Sequence, residues 1–486
     1  MWKVAATLAS AISSFIALKL YDHYFDRVGL FATVTAAQQI LGQMPVVDGG
    51  FRLATNRALL AEDIAAERLR VLQFAQTLTW LSGFAGALIG VTAMAIYSFA
   101  KNAAASGAGL PFLLSFGAIG GAALVSIAQV QMLTGLGLQR RVFSLNALNS
   151  MVFLAVVWTG LRAGMQQWAF ILAMAASQTV VGVVAVAMAK AAAPELKIFR
   201  VRLDDDFYRL FRLHWREAWA AFRMQVVIVA LYTSDLMVLS AVTKGAVTDT
   251  YALLARLLSE LRKILQSADE SLWPMIAAKS ENAILVSGRL LRLNGWLYGA
   301  AMSAAAVTLP VFVAGYTPNK GRPDLILAVL LALRFLITGL SSQPTYYLYG
   351  KGRFDLILKY QWREFAVAIA LSIPLGLRFG TLGIATGYLV ATAAGTLWNF
   401  PEQYARGTGQ SLRTVFGSMW LRALLGVTIS SGTALAVLRF GSSWPMAIVA
   451  GGCGTAMALL WAVGWARWRS GNRDESLSIA SLAEYL

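Results

Sequence analysis

Residues 110–133 read LPFLLSFGAIGGAALVSIAQVQML, a run without a charge, and Arg140 and Arg141 stand just beyond it. A helix rises ~1.5 Å per residue, so this run is long enough to cross the ~30 Å hydrocarbon core of a bilayer. Outward from it, runs of the same kind fill the chain. They lie near 2–20, 29–50, 77–99, 110–133, 142–160, 168–188, 219–242, 248–275, 293–314, 324–348, 356–377, 381–398, 415–438 and 444–465. The pattern predicts an all-α polytopic membrane protein of about fourteen transmembrane helices. Composition agrees: 13% of residues are charged, against about a quarter in an ordinary soluble domain.

Basic residues fix the orientation. With a cytoplasmic N-terminus, 27 Lys and Arg fall in cytoplasmic gaps or the C-terminal tail, and 9 fall in the opposite gaps. This is the positive-inside pattern, and it places both termini in the cytoplasm. The tally also accounts for the net charge of +17. The cations are spread over many loops, as orientation and anionic headgroups require, so no nucleic-acid partner is expected. The single Cys453 lies in an apolar run and excludes an internal disulfide or a Cys-rich metal site. No cleavable leader, cofactor or metal is expected.

The longest gap, 189–218, carries Asp204, Asp205 and Asp206, then Phe207, Leu210, Phe211, His214, Trp215 and Ala218 on one helical face. This reads as an amphipathic helix on the inner leaflet. Its Asp run reads as an N-cap with first-turn carboxylates rather than a metal site.

Two stretches recur. Gly135-Leu136-Gly137 and Gly160-Leu161-Arg162-Ala163-Gly164 match Gly350-Lys351-Gly352 and Gly376-Leu377-Arg378-Phe379-Gly380 at offsets of 215 and 216. Six spans separate the copies, an even number, so both insert the same way up. The expectation is two six-helix lobes related by a pseudo-two-fold axis along the membrane normal. The first lobe would be residues 1–190, followed by a cytoplasmic linker at 191–218 with the amphipathic helix. The second would be 219–400, with two appended spans and a tail in 401–486.

Ionisable groups in hydrocarbon are costly and usually face a polar cavity. In span eight, Arg256, Glu260, Lys263, Ser267 and Glu270 form one stripe, and Arg262, Gln266 and Asp269 form a second near the headgroups. Arg256 and Glu260 are spaced to pair within the helix. Asp235 in span seven and Arg334 in span ten lie at a depth similar to Arg256. Span two offers Thr33, Thr35, Gln38, Gln39 and Gln43, with Asp48 and Arg52 at its inner end. Helix–helix hydrogen bonds and snorkelling are the plainer reading of that set. Fixed guanidinium groups suit an anionic ligand, because their planar fork grips phosphate oxygens. Arg256, Arg334, Lys263 and Arg52 are therefore candidate substrate-binding cations. Asp235, Glu260 and Asp48 are candidate acidic groups of the cavity or of ion coupling.

The stretch Thr233-Ser234-Asp235-Leu236-Met237-Val238-Leu239, then Lys244-Gly245, Tyr251-Ala252 and Leu272-Trp273-Pro274-Met275, resembles spans seven and eight of the polysaccharide exporters. That family belongs to the multidrug/oligosaccharidyl-lipid/polysaccharide (MOP) exporter superfamily and includes the O-antigen-type flippases. Val47-Asp48-Gly49-Gly50 with Arg52-Leu53-Ala54, and Tyr349-Gly350-Lys351-Gly352-Arg353, are similar to the same family. The resemblance covers spans 1–12. It implies a basic central cavity in a bacterial inner-membrane protein. It also implies export of an undecaprenyl-pyrophosphate-linked oligosaccharide to the periplasmic leaflet, with a polysaccharide polymerase as a further candidate partner. Asp235 matches the family's acidic position in span seven, as coupling site or as structural partner. A drug/cation antiporter of the superfamily is the nearest alternative and favours acidic clefts. A membrane-embedded polymerase or acyltransferase would need an acid, base or nucleophile cluster that two His and short outer gaps do not supply.

Overall fold

The computed structural model describes residues 16, 48–61, 65–101, 110–196, 201–242, 246–266, 269–278, 283–316 and 324–470. Span one (Ile16 apart) and most of span two lie outside the described residues, with Thr33, Thr35, Gln38, Gln39 and Gln43; so do Lys244, Gly245 and Ser267. Every element among the described residues is helical. Nine of these helical stretches are long and apolar enough to cross a membrane. The chain divides into two compact units, residues 2–226 and 227–486.

The first unit contains α1 (Phe51–Ala61), α2 (Ala65–Lys101), α3 (Leu110–Gly135), α4 (Gln139–Arg162) and α5 (Trp168–Ala192), then the start of α6 (Asp205–Val242). Helices α2 to α5 coincide with expected spans three to six. Lipid gives helices no hydrophobic reason to associate, so close contact needs small residues. Gly86 and Gly90 on α2 supply it against Gly121 and Gly117 on α3; a Cβ on Gly90 would meet the Gly117 carbonyl.

Asp204 caps α6, its Oδ1 accepting from the Phe207 N–H at 3.0 Å. The helix then runs unbroken into span seven, so the amphipathic stretch is its first turns rather than a separate element. Its apolar face meets protein instead of the leaflet. Phe211 stacks on Phe51 at 4.7 Å, and Phe207 lies 5.2 Å from Phe74. His214 packs beside Phe74, and burial pushes its imidazole below the usual histidine range.

The second unit holds α7 (Ala246–Gln266), α8 (Leu272–Ala277), α9 (Ala283–Tyr316), α10 (Leu325–Leu340), α11 (Ser342–Gly350) and α12 (Phe354–Thr392). After a π-helical turn at Ala393–Leu397 come α13 (Asn399–Thr408), α14 (Leu412–Phe416), α15 (Arg422–Leu438) and α16 (Trp444–Ser470). Spans eight and ten are each broken, between α7 and α8 and between α10 and α11. Asp269 ties the two breaks together. It is fully buried and accepts from Asn294 Nδ2 at 2.7 Å and from the Ser342 hydroxyl. Solvation by headgroups, expected for this carboxylate, is thus replaced by hydrogen bonds inside the protein.

Helix α12 is two spans folded at Gly380, whose φ of 60° suits glycine. The arms run antiparallel, Gly387 lying on the Ser372 backbone and Gly383 on the Leu375 carbonyl. Helices α15 and α16 pack on α9, where Ser430 Oγ donates to the Ala300 carbonyl at 2.9 Å.

The sequence repeat has a conformational counterpart. Gly137, Gly164, Gly352 and Gly380 all have positive φ, from 60° to 78°. Gly137 and Gly352 close the same helix-ending turn: Leu138 N–H donates to Leu133 at 2.8 Å, and Arg353 N–H to Leu348 at 3.0 Å.

Candidate functional site

The buried charges of the second unit gather where α6, α7, α10 and α12 meet. Arg334, nine residues into α10, donates from Nη1 to Asp235 Oδ2 at 2.9 Å. Their side chains are 3% and 8% exposed, so the pair is closed off from solvent. The guanidinium also lies 4.6 Å from the centre of the Tyr388 ring, a cation–π contact that α12 provides. Tyr388 in turn donates to Ser234 Oγ at 2.7 Å, beside Asp235. Tyr251 of α7 is fully buried, and the fields of Asp235 and Arg334 both reach it.

This arrangement assigns Arg334 a role unlike the expected one. A guanidinium committed to Asp235 and stacked on Tyr388 is not held open for a phosphate. In this structure Asp235 is the counter-charge of Arg334.

Arg256 differs. Helix α7 buries Tyr251, Leu254, Ala255 and Leu258, one stripe at i, i+3, i+4 and i+7. Arg256 and Glu260 are half-buried and Lys263 is exposed. The expected Arg256–Glu260 pair does not form, because Glu260 is held by Lys263 at 2.8 Å. Arg256 has no ion-pair partner among the described residues, and at ~1.5 Å per residue it lies some 15 Å along its helix.

In the first unit, Asp48 Oδ1 accepts from the Gly50 N–H at 2.8 Å, while Oδ2 pairs with Arg52 Nε at 3.0 Å. Gly50 has φ 78°, and a Cβ there would meet the Ala218 carbonyl, so the Asp-Gly-Gly turn fits closely against α6. Asp48 and Arg52 line a cleft of ≈ 360 Å³ with Thr55, Asn56, Thr79 and Ser82.

Several polar residues escaped sequence reading. Tyr388 packs on the ion pair, Ser234 accepts from Tyr388, and Tyr251 lies buried beside them, but tyrosines and serines are common in apolar runs. Glu364 is 2% exposed and bonded by Thr392 and Thr396. It reads as a loop-end charge because it follows Arg363, although its place inside span eleven is the criterion that singled out Asp235.

No family profile matches the chain, and no curated protein is significantly similar in sequence. Solved structures are similar. The Vibrio cholerae MATE transporter VcmN, as a point mutant, superposes with a TM-score of 0.63 at 14% identity, over 85% of this chain and 97% of that one. The lipid II flippase MurJ in an inward closed conformation gives 0.62 at 14% identity, over 95% and 98%. A MOP superfamily transporter from Pyrococcus furiosus gives 0.60 at 15%, over 84% and 96%. The chain has the fold of these MOP superfamily transporters.

Proposed function

We propose that this protein is a flippase of the bacterial inner membrane. It carries a polyprenyl-pyrophosphate-linked oligosaccharide from the cytoplasmic to the periplasmic leaflet by alternating access, for surface polysaccharide synthesis. The observation that carries this reading is Arg256. It is a fixed cation at mid-depth, on a charged helical face that its own unit leaves half-covered, and it has no ion-pair partner among the described residues. Hydrocarbon does not tolerate such a face, so it borders water and suits an anionic headgroup. Lys263 extends the same stripe toward the cytoplasm. Arg52 lines a cleft of the first unit but is paired with Asp48, so it is a weaker candidate than Arg256.

The antiporter reading draws on the same fold. Against it, Asp235 and Glu260 are each neutralised by a neighbouring cation, leaving them poorly suited to a cationic drug. The similarity to MurJ also leaves out only 5% of the chain. That is less than residues 401–486, so it takes in most of that appended segment.

The test is Arg256→Ala in cells that depend on this gene for surface polysaccharide. Losing a charged hydrogen bond costs about 1.5–3 kcal/mol, roughly ten- to a hundredfold in headgroup affinity. Export should fall accordingly, lipid-linked oligosaccharide should accumulate inside, and Arg256→Lys should rescue in part. Wild-type export by Arg256→Ala at normal protein levels would overturn the reading.

A further inference from the structure

The α12 hairpin buries a carboxylate that neither the ion pair nor the Arg256 face uses. Glu364 lies ten residues into α12, some 15 Å from its start at ~1.5 Å per residue. Thr392 Oγ1 donates to its Oε1 at 2.7 Å, and Thr396 Oγ1 donates to its Oε2. Thr392 precedes the π-helical turn Ala393–Leu397, and Thr396 lies within it. A π turn forfeits regular hydrogen bonding and recurs at functional positions. Here Gly395 lets the turn lie directly on Glu364, where a Cβ would meet the Glu364 Cβ.

The charges around Glu364 do not neutralise it. The cations whose fields reach it are Arg334 on α10 and Arg262 on α7, and among the described residues neither touches it. Arg334 is bound to Asp235 at 2.9 Å, and Arg262 lies over the Phe335 ring at 5.6 Å. On its own hairpin the neighbours Tyr360, Gln361, Thr392 and Thr396 are uncharged. Gln361, one turn earlier on the same face, buries an Oε1 with no hydrogen-bond partner among the described residues. The pocket thus has more acceptors than donors, and an added proton relieves that imbalance. A metal cation would need a fuller shell of oxygens. Two of the π-turn carbonyls already accept from Asn399 Nδ2, Ala394 at 3.2 Å and Gly395 at 2.8 Å.

We infer that Glu364 is a proton-binding site, held as the carboxylic acid while the hairpin is closed and deprotonated when the Ala393–Leu397 turn moves off it. As the acid it donates its O–H to one threonine oxygen, whose own hydroxyl turns to a backbone carbonyl one helical turn back. The other threonine still donates to the remaining carboxyl oxygen. On opening, the proton passes to water. Only the use of that proton, to link transport to a pH gradient, rests on the transporter reading.

Dicyclohexylcarbodiimide, which reacts with protonated carboxyls in apolar surroundings, tests this on the purified full-length chain across a pH series. The adduct is located by peptide mass spectrometry. It should sit on Glu364 and fall roughly tenfold per pH unit once the carboxyl ionises, with Asp235 unlabelled and sodium chloride giving no protection relative to choline chloride. Glu364→Gln should abolish it, but the wild-type series decides the matter even if that variant fails to fold. An absent adduct at every pH, or protection by sodium at fixed pH, would overturn the proton site. Neither result bears on export by Arg256 variants, so the two readings fail separately.

Discussion

The ion pair Arg334–Asp235 is the sharpest case of one residue's role being set by another's position. Each charge alone in hydrocarbon looks like a ligand site; at 2.9 Å, and 3% and 8% exposed, they satisfy one another. Burying such a pair costs desolvation, so its net contribution to stability is small, but orphaning either partner costs about 3–5 kcal/mol. Arg334→Met or Asp235→Leu alone should therefore lower the thermal midpoint in detergent markedly. The double variant, with no buried charge left, should recover most of the loss. If both singles melt like wild type, the pair is open to water and Arg334 returns as a candidate headgroup ligand. The sequence places both residues at one depth but does not reveal their contact, because 99 positions and two spans separate them.

At the scale of elements, apolar run length carries most of the legible information. Expected spans three to six, nine and fourteen each fall within a described helix, because a charge-free run of the right length has few alternatives in a bilayer. The breaks at Ser341 and Ala393–Leu397 were not legible, nor was the gap between α7 and α8. The break at Ser341 and the turn at Ala393–Leu397 are each bonded to a buried carboxylate from elsewhere in the chain, Asp269 and Glu364, and Asp269 in the α7–α8 gap is held in turn by Asn294 and Ser342; local composition does not record that. The polar face of α7 can be checked directly. In a Cys453→Ser background, cysteine at Arg256 or Lys263 should react with a charged thiol reagent, and cysteine at Leu254 or Leu258 should not; equal reactivity at all four refutes the face. The hairpin gives a second check, since a Cβ on Gly387 would lie 2.7 Å from the Ser372 backbone. Gly387→Leu should separate the arms of α12 and destabilise the fold, seen as aggregation on size-exclusion chromatography. A monodisperse Gly387→Leu protein with an unchanged melting temperature contradicts that packing.

For the whole molecule, the membrane potential separates the two transport readings by sign. Many cytoplasmic-side cations counted for orientation are engaged by neighbours, as in Arg57–Glu217, Arg353–Asp355 and Arg406–Glu402. On the orientation expected from the charge bias, they mark which way the chain inserts rather than a ligand. With that insertion the cytoplasm is the negative side, and moving one elementary charge across the bilayer is worth about 2.3 kcal/mol per 100 mV. An anionic pyrophosphate headgroup moving outward is therefore driven by the resting potential, whereas a cation moving outward is opposed by it. The measurement uses proteoliposomes with inside-out and right-side-out orientations resolved by protease protection. They carry a fluorescent short-chain prenyl-pyrophosphate disaccharide and a potassium diffusion potential. A potential negative on the cytoplasmic face should speed transfer of the probe away from that face, and the opposite potential should slow it. Arg256→Gln should lower the rate at every potential without reversing that dependence, because the cargo's own charge sets the sign. Acceleration by the opposite potential would instead mean that net positive charge moves outward, as in a cation exporter.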